Sequence, residues 1–432
     1  MLNAASLHAV SSSRFSQRFV KPLFDSYCFS NIPPTIVSLL TGQGNGGAGL
    51  IGRGLPSDVF TGIPIRYNKV IVFFIDGFGW RFFERYADRY PFLKTLLANG
   101  VVSKLTSQFP STTAAHVTSM HTGLNVAQSG VYEWCYYEPL IDDMISPLLF
   151  SYAGDKERDT LKRSTISAEA LYPQQTFYST LKAEGIRSYI FQNEAYTPST
   201  YSDIVYRGAV VIAYKTLAEA LMRLSELLLA ERSAHAYYFL YLDKIDAAGH
   251  HYGPDSRQFQ QAIDASLTLM EHLFYKKVSG KLRETLFLMT ADHGQVEVNP
   301  KTTFYLNRAF PQITQYLRKN SKGKLLVPAG SARDMFLHVK DGSIDEAIRL
   351  LQQQLSGKAE VYAMQDLLSR GFFGSQAPSA TFLSRVGNVV ILPYAYETVW
   401  WYEEGRFDMH FLGHHGGLTR EEMEIPLLLL PL

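Results

Sequence analysis

The stretch VIVFFIDGFG, residues 70–79, sets the reading of the chain. Its six apolar residues, β-branched or aromatic and closed by an Asp-Gly pair, have the length and content of a strand buried on both faces. A strand of that kind belongs to a sheet covered by helices on either side. Asp76 follows at the strand's carboxyl end, and Gly77 lets the backbone turn away while the carboxylate stays at the sheet edge. On its own, an Asp-Gly after a strand is an ordinary turn.

The same alternation runs outward from this strand. PFLKTLLANG (91–100) reads as a helix stopped by Gly100, TFYSTLKAEG (176–185) as helix and RSYIFQN (187–193) as strand. Next come YKTLAEALMRLSELLLAE (214–231) as helix, AYYFLYL (236–242) as strand, SRQFQQAIDASLTLMEHLF (256–274) as helix and ETLFLMT (284–290) as strand. Strand, helix, strand in repetition requires crossover connections, so the expected fold is α/β: a three-layer αβα sandwich on a mostly parallel sheet. In such sheets chemistry gathers at the carboxyl ends of the strands. Residues 66–295 and 387–432 form the expected core, with GNVVILPYAYETVWW (387–401) and EIPLLLL (424–430) as strands that rejoin the main sheet. Residues 296–386, holding RDMFLHV, SIDEAIRLLQQQL and AEVYAM, read as a small α+β insertion. Residues 1–65 read as an irregular arm. Gly42, Gly44 and Gly47 there spell G-x-G-x-x-G, but the run follows helical PPTIVSLL rather than a strand, so a glycine loop is expected and not a dinucleotide fingerprint.

Composition narrows the partners. With 41 Lys plus Arg against 40 Asp plus Glu, the formal charge of +1 provides no global field for nucleic acid or an anionic membrane. The two cysteines, Cys28 and Cys135, fit neither a disulfide framework nor a thiolate zinc site. The N-terminus MLNAASLHAVSSSRFSQRF lacks the apolar core of a secretory signal and only faintly matches a transit peptide. IPLLLLPL (425–432) is too short to cross a bilayer. A cytoplasmic protein is expected, acting on a small-molecule substrate.

Three further stretches carry metal-type side chains. YLDKIDAAGHHYGP (241–254) holds Asp243, Asp246, His250 and His251, and its Gly249, Gly253 and Pro254 suggest a turning loop rather than a regular helix. LFLMTADHGQ (286–295) puts Asp292 and His293 at a strand end, where Asp292 is alternatively a helix cap. FLGHHGGLTREEMEIPLL (411–428) holds His414 and His415 before paired glycines. Counted together, Asp76, Asp246, His250, Asp292, His293 and His415 provide carboxylates and imidazoles without thiolate. That donor set suits Zn²⁺ or Mn²⁺, and its size suits two ions. Two ions about 4 Å apart are the usual apparatus for displacement at phosphorus. FPSTTAAHVTSMHTG (109–123) presents Ser111, Thr112 and Thr113 before a helical pattern. A hydroxyl there is either an N-cap or a metal-activated nucleophile at a helix start that favours an anionic phosphoryl group.

Taken in order, FFIDGFG, FPSTTAAHVTSMHTG, DAAGHHYGP, TADHG and the late HGG resemble the alkaline phosphatase superfamily, in its nucleotide pyrophosphatase/phosphodiesterase branch. The resemblance covers roughly residues 66–295 and 387–432. It implies two zinc ions, one held by Asp76, Asp292, His293 and the nucleophile, the other by Asp246, His250 and His415. It selects His250 over His251 and His415 over His414. The family spacing to a T-G pair, here ending at Gly123, selects Thr113 and leaves Ser111 and Thr112 as turn or cap residues. One departure concerns substrate: in QSGVYEW (128–134) Ser129 replaces a histidine, and Trp134 stands where branch members usually carry an asparagine that holds a phosphate oxygen. An indole offers one donor where an amide offers more. Lys244 is a second candidate for phosphate contact.

The expected activity is hydrolysis of phosphodiesters or nucleotide pyrophosphates through a covalent phosphothreonine at Thr113. Phosphomonoesterase and phosphonate hydrolase are the alternatives within the superfamily, and a metal-stabilised, non-catalytic binding protein is the alternative of another class. A sulfatase is disfavoured because its C-x-P-x-R or S-x-P-x-R signature is absent.

Overall fold

Seven strands build the main sheet: β1 (Lys69–Ile75), β2 (Val101–Thr106), β3 (Arg187–Asn193), β4 (Val210–Tyr214), β5 (Ala236–Leu242), β6 (Thr285–Thr290) and β7 (Glu424–Pro431). In this computed structural model, which describes residues 1–43, 52–231 and 233–432, they lie in the order β2-β7-β6-β1-β5-β3-β4. β1 pairs parallel with both β5 and β6, and β3 pairs parallel with β4 and β5. Only β7 runs antiparallel, between β2 and β6. β1, β5 and β6 are buried along their whole length, as their unbroken apolar runs require.

Adjacent residues of β1 point to opposite faces and so anchor opposite layers. Phe73 packs on Phe274 and Phe287, whereas Phe74 packs on Phe29 and Phe239. The first layer contains the helices Pro91–Asn99, Leu217–Ala230 and Arg257–Leu269. The second contains Ile32–Thr41, Thr113–Thr122 and Phe177–Ala183. The three-layer αβα reading therefore holds.

Register puts the chemistry at one edge. Ile75 lies opposite Leu242 and Phe74 opposite Thr290, so β1, β5 and β6 end side by side, and the Asp76 N–H donates to the Leu242 carbonyl at 2.9 Å. Asp76, the segment from Asp243 and the segment from Asp292 all leave the sheet at that edge.

Three local expectations are corrected. The N-terminal arm is not irregular: it forms helices Ala4–Ser12 and Ile32–Thr41, and buries Phe29 against Phe74 and His116. Gly42 caps the second of these helices at φ 70°, while Gly44 and Gly47 lie outside the described residues. Val389–Pro393 does not rejoin the main sheet; it is the middle strand of a three-stranded antiparallel sheet with Met335–Leu337 and Ala359–Ala363. A second apolar cluster, running from Leu306 to Trp401 and including Leu351 and Ile391, backs that sheet. Finally, residues 244–252 form a helix and not a turning loop. Gly249 sits inside this helix because a neighbouring side chain leaves no room for a Cβ. Only Gly253, at φ 86°, turns the chain.

Candidate metal centre

Asp76, Asp246, Asp292, His293 and His415 converge in two overlapping groups. The ligand atoms of Asp76, Asp292 and His293, and those of Asp246, His293 and His415, lie within 4.8 Å of one another in each group. His250, one helical turn beyond Asp246, joins the second group, with Nε2 3.2 Å from Asp246 Oδ2 and 3.2 Å from His415 Nε2. His293 stands between the groups, its Nε2 3.3 Å from Asp76 Oδ1 and 3.2 Å from Asp292 Oδ2, and its ring stacks on His415 at 3.6 Å.

Backbone carbonyls settle the imidazole tautomers. His250 Nδ1 lies 2.7 Å from the Gly413 carbonyl, His293 Nδ1 3.0 Å from that of Gly294, and His415 Nδ1 2.9 Å from that of Ser111. A carbonyl only accepts, so each Nδ1 carries a proton and each Nε2 is the ring atom turned into the site. This is the second-shell arrangement that orients metal-binding histidines.

Charge in the site is unbalanced by protein alone. Among the described residues, the ion-pair partners of Asp76, Asp246 and Asp292 are histidines, and the fully buried Asp292 Oδ2 receives no hydrogen bond. Burial, then the charges of Asp292 and Asp246, push the Asp76 carboxyl well above its ordinary range. Burial also opposes ionisation of Asp246 and Asp292, but the surrounding histidines together, His250 foremost at the first and His293 foremost at the second, hold both low, and Asp292 and Asp246 in turn raise His293 against its own burial. His415 is pushed far down by burial and by His293. Crowded carboxylates, an orphaned carboxylate oxygen and converging Nε2 atoms fit divalent cations, and the oxygen and nitrogen donors without sulfur suit Zn²⁺ or Mn²⁺.

The three hydroxyls of residues 111–113 have different surroundings. Ser111 is fully buried, donates to the Gly417 carbonyl at 2.8 Å and accepts from Gly416 N at 3.2 Å. Thr112 is the N-cap of helix Thr113–Thr122, yet its side chain makes no cap bond. Thr113 Oγ1 alone faces the carboxylates, 3.4 Å from each Asp76 oxygen and 3.1 Å from His293 Nε2.

A cavity of about 680 Å³ opens over Thr113. Trp134, 46% exposed, lines it together with Tyr196, Phe407, Met409 and Phe411. Lys244 is not among the lining residues; its ammonium extends outward to Asp243 at 3.1 Å. His251 is exposed, and His414 is occupied locally, its Nδ1 2.9 Å from both the N and the carbonyl oxygen of His415.

Sequence reasoning passed over three groups here. Tyr241, at the end of β5, donates a hydrogen bond to Asp76 Oδ2. Gln295 holds Asp246 from behind, donating to its carbonyl at 3.0 Å and to its Oδ1. Glu133 and Asp334 are buried carboxyls, and burial and then the charge of Glu133 raise Asp334. Tyr241 lies within the quoted Asp246 stretch and Gln295 two residues past His293, so adjacency to ligands was the available signal. No local pattern links Glu133 to Asp334.

The family model described as type I phosphodiesterase/nucleotide pyrophosphatase matches residues 70–417. Among curated proteins, ectonucleotide pyrophosphatase/phosphodiesterase family member 3 of Rattus norvegicus is 23% identical over 256 residues, covering 57% of this chain and 27% of that protein. Family member 1 of Homo sapiens is 24% identical over 245 residues, covering 55% and 24%. The chain thus matches about a quarter of the length of these relatives. Among solved structures, murine ectonucleotide pyrophosphatase/phosphodiesterase 5 superposes with a TM-score of 0.61 at 19% identity, covering 83% of this chain and 87% of that one. An inactive form of the same murine protein in complex with AMP matches equally well. Phosphonoacetate hydrolase from Sinorhizobium meliloti, in complex with phosphonoformate, gives a TM-score of 0.58 at 17% identity, covering 83% and 89%.

Proposed function

Because the chain belongs to the type I phosphodiesterase/nucleotide pyrophosphatase family, we propose that it is a two-ion hydrolase of phosphoric esters with Thr113 as nucleophile. The observation that carries this reading is the position of Thr113 Oγ1, 3.4 Å from both Asp76 oxygens and 3.1 Å from His293 Nε2, at the first turn of its helix. Asp76, Asp292, His293 and Thr113 would hold one ion, and Asp246, His250 and His415 the other. When bound, the ions supply the positive charge that lowers the hydroxyl's pKa and offsets negative charge developing on the attacking and leaving oxygens.

The protein's own groups do the positioning. Thr113 Oγ forms a bond to phosphorus as the bond to the leaving oxygen breaks. Water oxygen then bonds to the same phosphorus as the Thr113 oxygen departs, restoring the hydroxyl. The first-turn N–H groups and dipole of helix Thr113–Thr122 favour the anionic phosphoryl oxygens. Tyr241 fixes the Asp76 carboxylate. The esterified group would occupy the cavity against Trp134 and Phe411, with Ser331 of the insertion and Trp400 beyond it supplying part of the wall. We read residues 296–386 as that insertion, its apolar core continuing to Trp401.

Phosphodiesters and nucleotide pyrophosphates are the preferred substrates, on family membership and on the nucleotide-directed names of the relatives. A phosphonate substrate is the second reading, favoured by the likeness to phosphonoacetate hydrolase. The test is turnover of bis-aryl phosphates, aryl monophosphates, nucleotide pyrophosphates and phosphonoacetate by purified protein loaded with Zn²⁺ or Mn²⁺, beside Thr113→Ala. Diester or pyrophosphate cleavage lost in Thr113→Ala supports the proposal. Inactivity of both proteins across the panel, with two ions bound, would instead favour a binding protein.

A further inference from the structure

Gln295 has neither the chemistry of a ligand nor a place on the cavity wall, yet it is fully buried against the metal centre. Its Nε2 donates twice to one residue, to the Asp246 carbonyl at 3.0 Å and to Asp246 Oδ1. The amide's orientation follows from its partners. Reversed, Oε1 would face a carboxylate and a carbonyl, two acceptors with no proton between them.

The space around the amide is made by two glycines. A Cβ at Gly249 would lie 1.8 Å from Gln295 Oε1, and one at Gly413 would lie 2.8 Å from the same atom. Gly249 belongs to the helix that carries Asp246 and His250, and Gly413 precedes His414–His415. The Gly413 carbonyl also fixes His250 through Nδ1 at 2.7 Å. Gln295 itself follows His293 by two residues and leads into the short strand Val296–Glu297, which pairs with Gly413–His414. The three chain segments that carry Asp246 and His250, His293, and His415 therefore meet at this one amide.

We propose that Gln295 is a positioning residue that sets the rotation of the Asp246 carboxylate for the ion held by Asp246, His250 and His415. The proposal rests on the two-ion reading. With Oδ1 tied to the amide and 3.8 Å from His415 Nε2, Asp246 Oδ2 is left toward His250 Nε2 at 3.2 Å, so the amide sets how the carboxylate meets the two imidazoles that would bind the ion. An N–H donor behind a ligating carboxylate restricts its rotamers and offsets part of its charge. Losing such a partner commonly costs 10–100-fold in metal affinity.

The experiment is Zn²⁺ titration against a competing chelator, on wild type, Gln295→Met and Gln295→Glu, with thermal unfolding of each metal-free protein. Methionine keeps the length and removes both donors, and glutamate keeps the shape while turning an acceptor toward Asp246. The expected result is two ions in wild type, with one of them weakened about 10–100-fold in each variant while the other is unchanged. In a His250→Ala background, where that ion is already lost, adding Gln295→Met should change nothing further. Two ions in wild type, with both retained at full affinity in either variant, would overturn the role of Gln295. Equal weakening of both ions would also overturn it, because packing and not Asp246 would then be the cause. Fewer than two ions in wild type would instead refute the two-ion reading.

Discussion

The Nε2 atoms of His250 and His415 stand 3.2 Å apart, while each ring's Nδ1 lies against a backbone carbonyl, Gly413 for His250 and Ser111 for His415. With both Nδ1 atoms donating to carbonyls, a contact at that distance needs either a proton between the two Nε2 atoms or a cation against them, and half-buried Asp246 and buried Asp292 add negative charge that favours the cation. Removing divalent ions should therefore destabilise the fold. Binding at one hundred times the dissociation constant contributes about 2.7 kcal/mol per site. Unfolding followed by circular dichroism, with and without chelator, should give a lower midpoint for stripped protein, restored by Zn²⁺. His250→Ala should reduce the metal-dependent shift. Identical midpoints with and without chelator would contradict a metal centre.

Glu133 and Asp334 predict a pH effect of one sign. Burial pushes the Glu133 carboxyl up to about 7, and Asp334 is pushed well above its ordinary range by burial and then by Glu133. Between an unfolded value near 4.5 and about 7 the folded protein keeps a proton that the unfolded chain has lost. Stability from this group is complete below pH 4.5 and is lost as pH rises through 7. Glu133→Gln, which cannot ionise, should be more stable than wild type at pH 8 by an amount on the order of 3 kcal/mol. The gain should shrink toward zero by pH 4.5. Urea midpoints at the two pH values check this, and a gain that is independent of pH would contradict it.

His121 predicts the opposite sign. It is buried against Phe239, with Nδ1 2.6 Å from the Tyr178 hydroxyl, and burial pushes it down to about 3. The folded state keeps this ring neutral while the unfolded chain takes up a proton below about 6.5. Its contribution is present above pH 6.5 and is lost as pH falls toward 3. Between pH 6.5 and 5 the loss should be roughly 2 kcal/mol. His121→Gln should remove that increment from the acid sensitivity measured by urea unfolding. An unchanged slope would place the titration elsewhere.

How legible these features were follows from how local their causes are. The runs 70–75, 236–242 and 284–290 announce themselves because each is buried on both faces, and Asp76 and Asp292 follow directly from strand ends. Residues 244–252 were misread as a loop because Gly249 looked like a turn signal. Its cause is Gln295, almost fifty residues away, whose amide fills the space a Cβ would need. Val389–Pro393 has the composition of a main-sheet strand, and only its partners Met335–Leu337 and Ala359–Ala363 decide which sheet it joins. The N-terminal helices were hidden for the same reason, since Phe29 finds its place only against Phe74 and His116. Only the family resemblance, through its spacing to Gly123, separated Thr113 from Ser111 and Thr112. The physical distinction is that Ser111 is spent on Gly416 and Gly417, while Thr113 Oγ1 faces Asp76 and His293.

The central claim is that Thr113 oxygen becomes bonded to phosphorus during turnover. Its most direct measurement is acid quenching of Zn²⁺-loaded protein during steady-state cleavage of a bis-aryl phosphate, followed by peptide mass mapping of residues 107–123. The account predicts a phosphoryl or aryl-phosphoryl adduct on Thr113, absent from Thr113→Ala, which should also be inactive. Full turnover by Thr113→Ala, or an adduct on Ser111 or Thr112 with Thr113 unmodified, would contradict it.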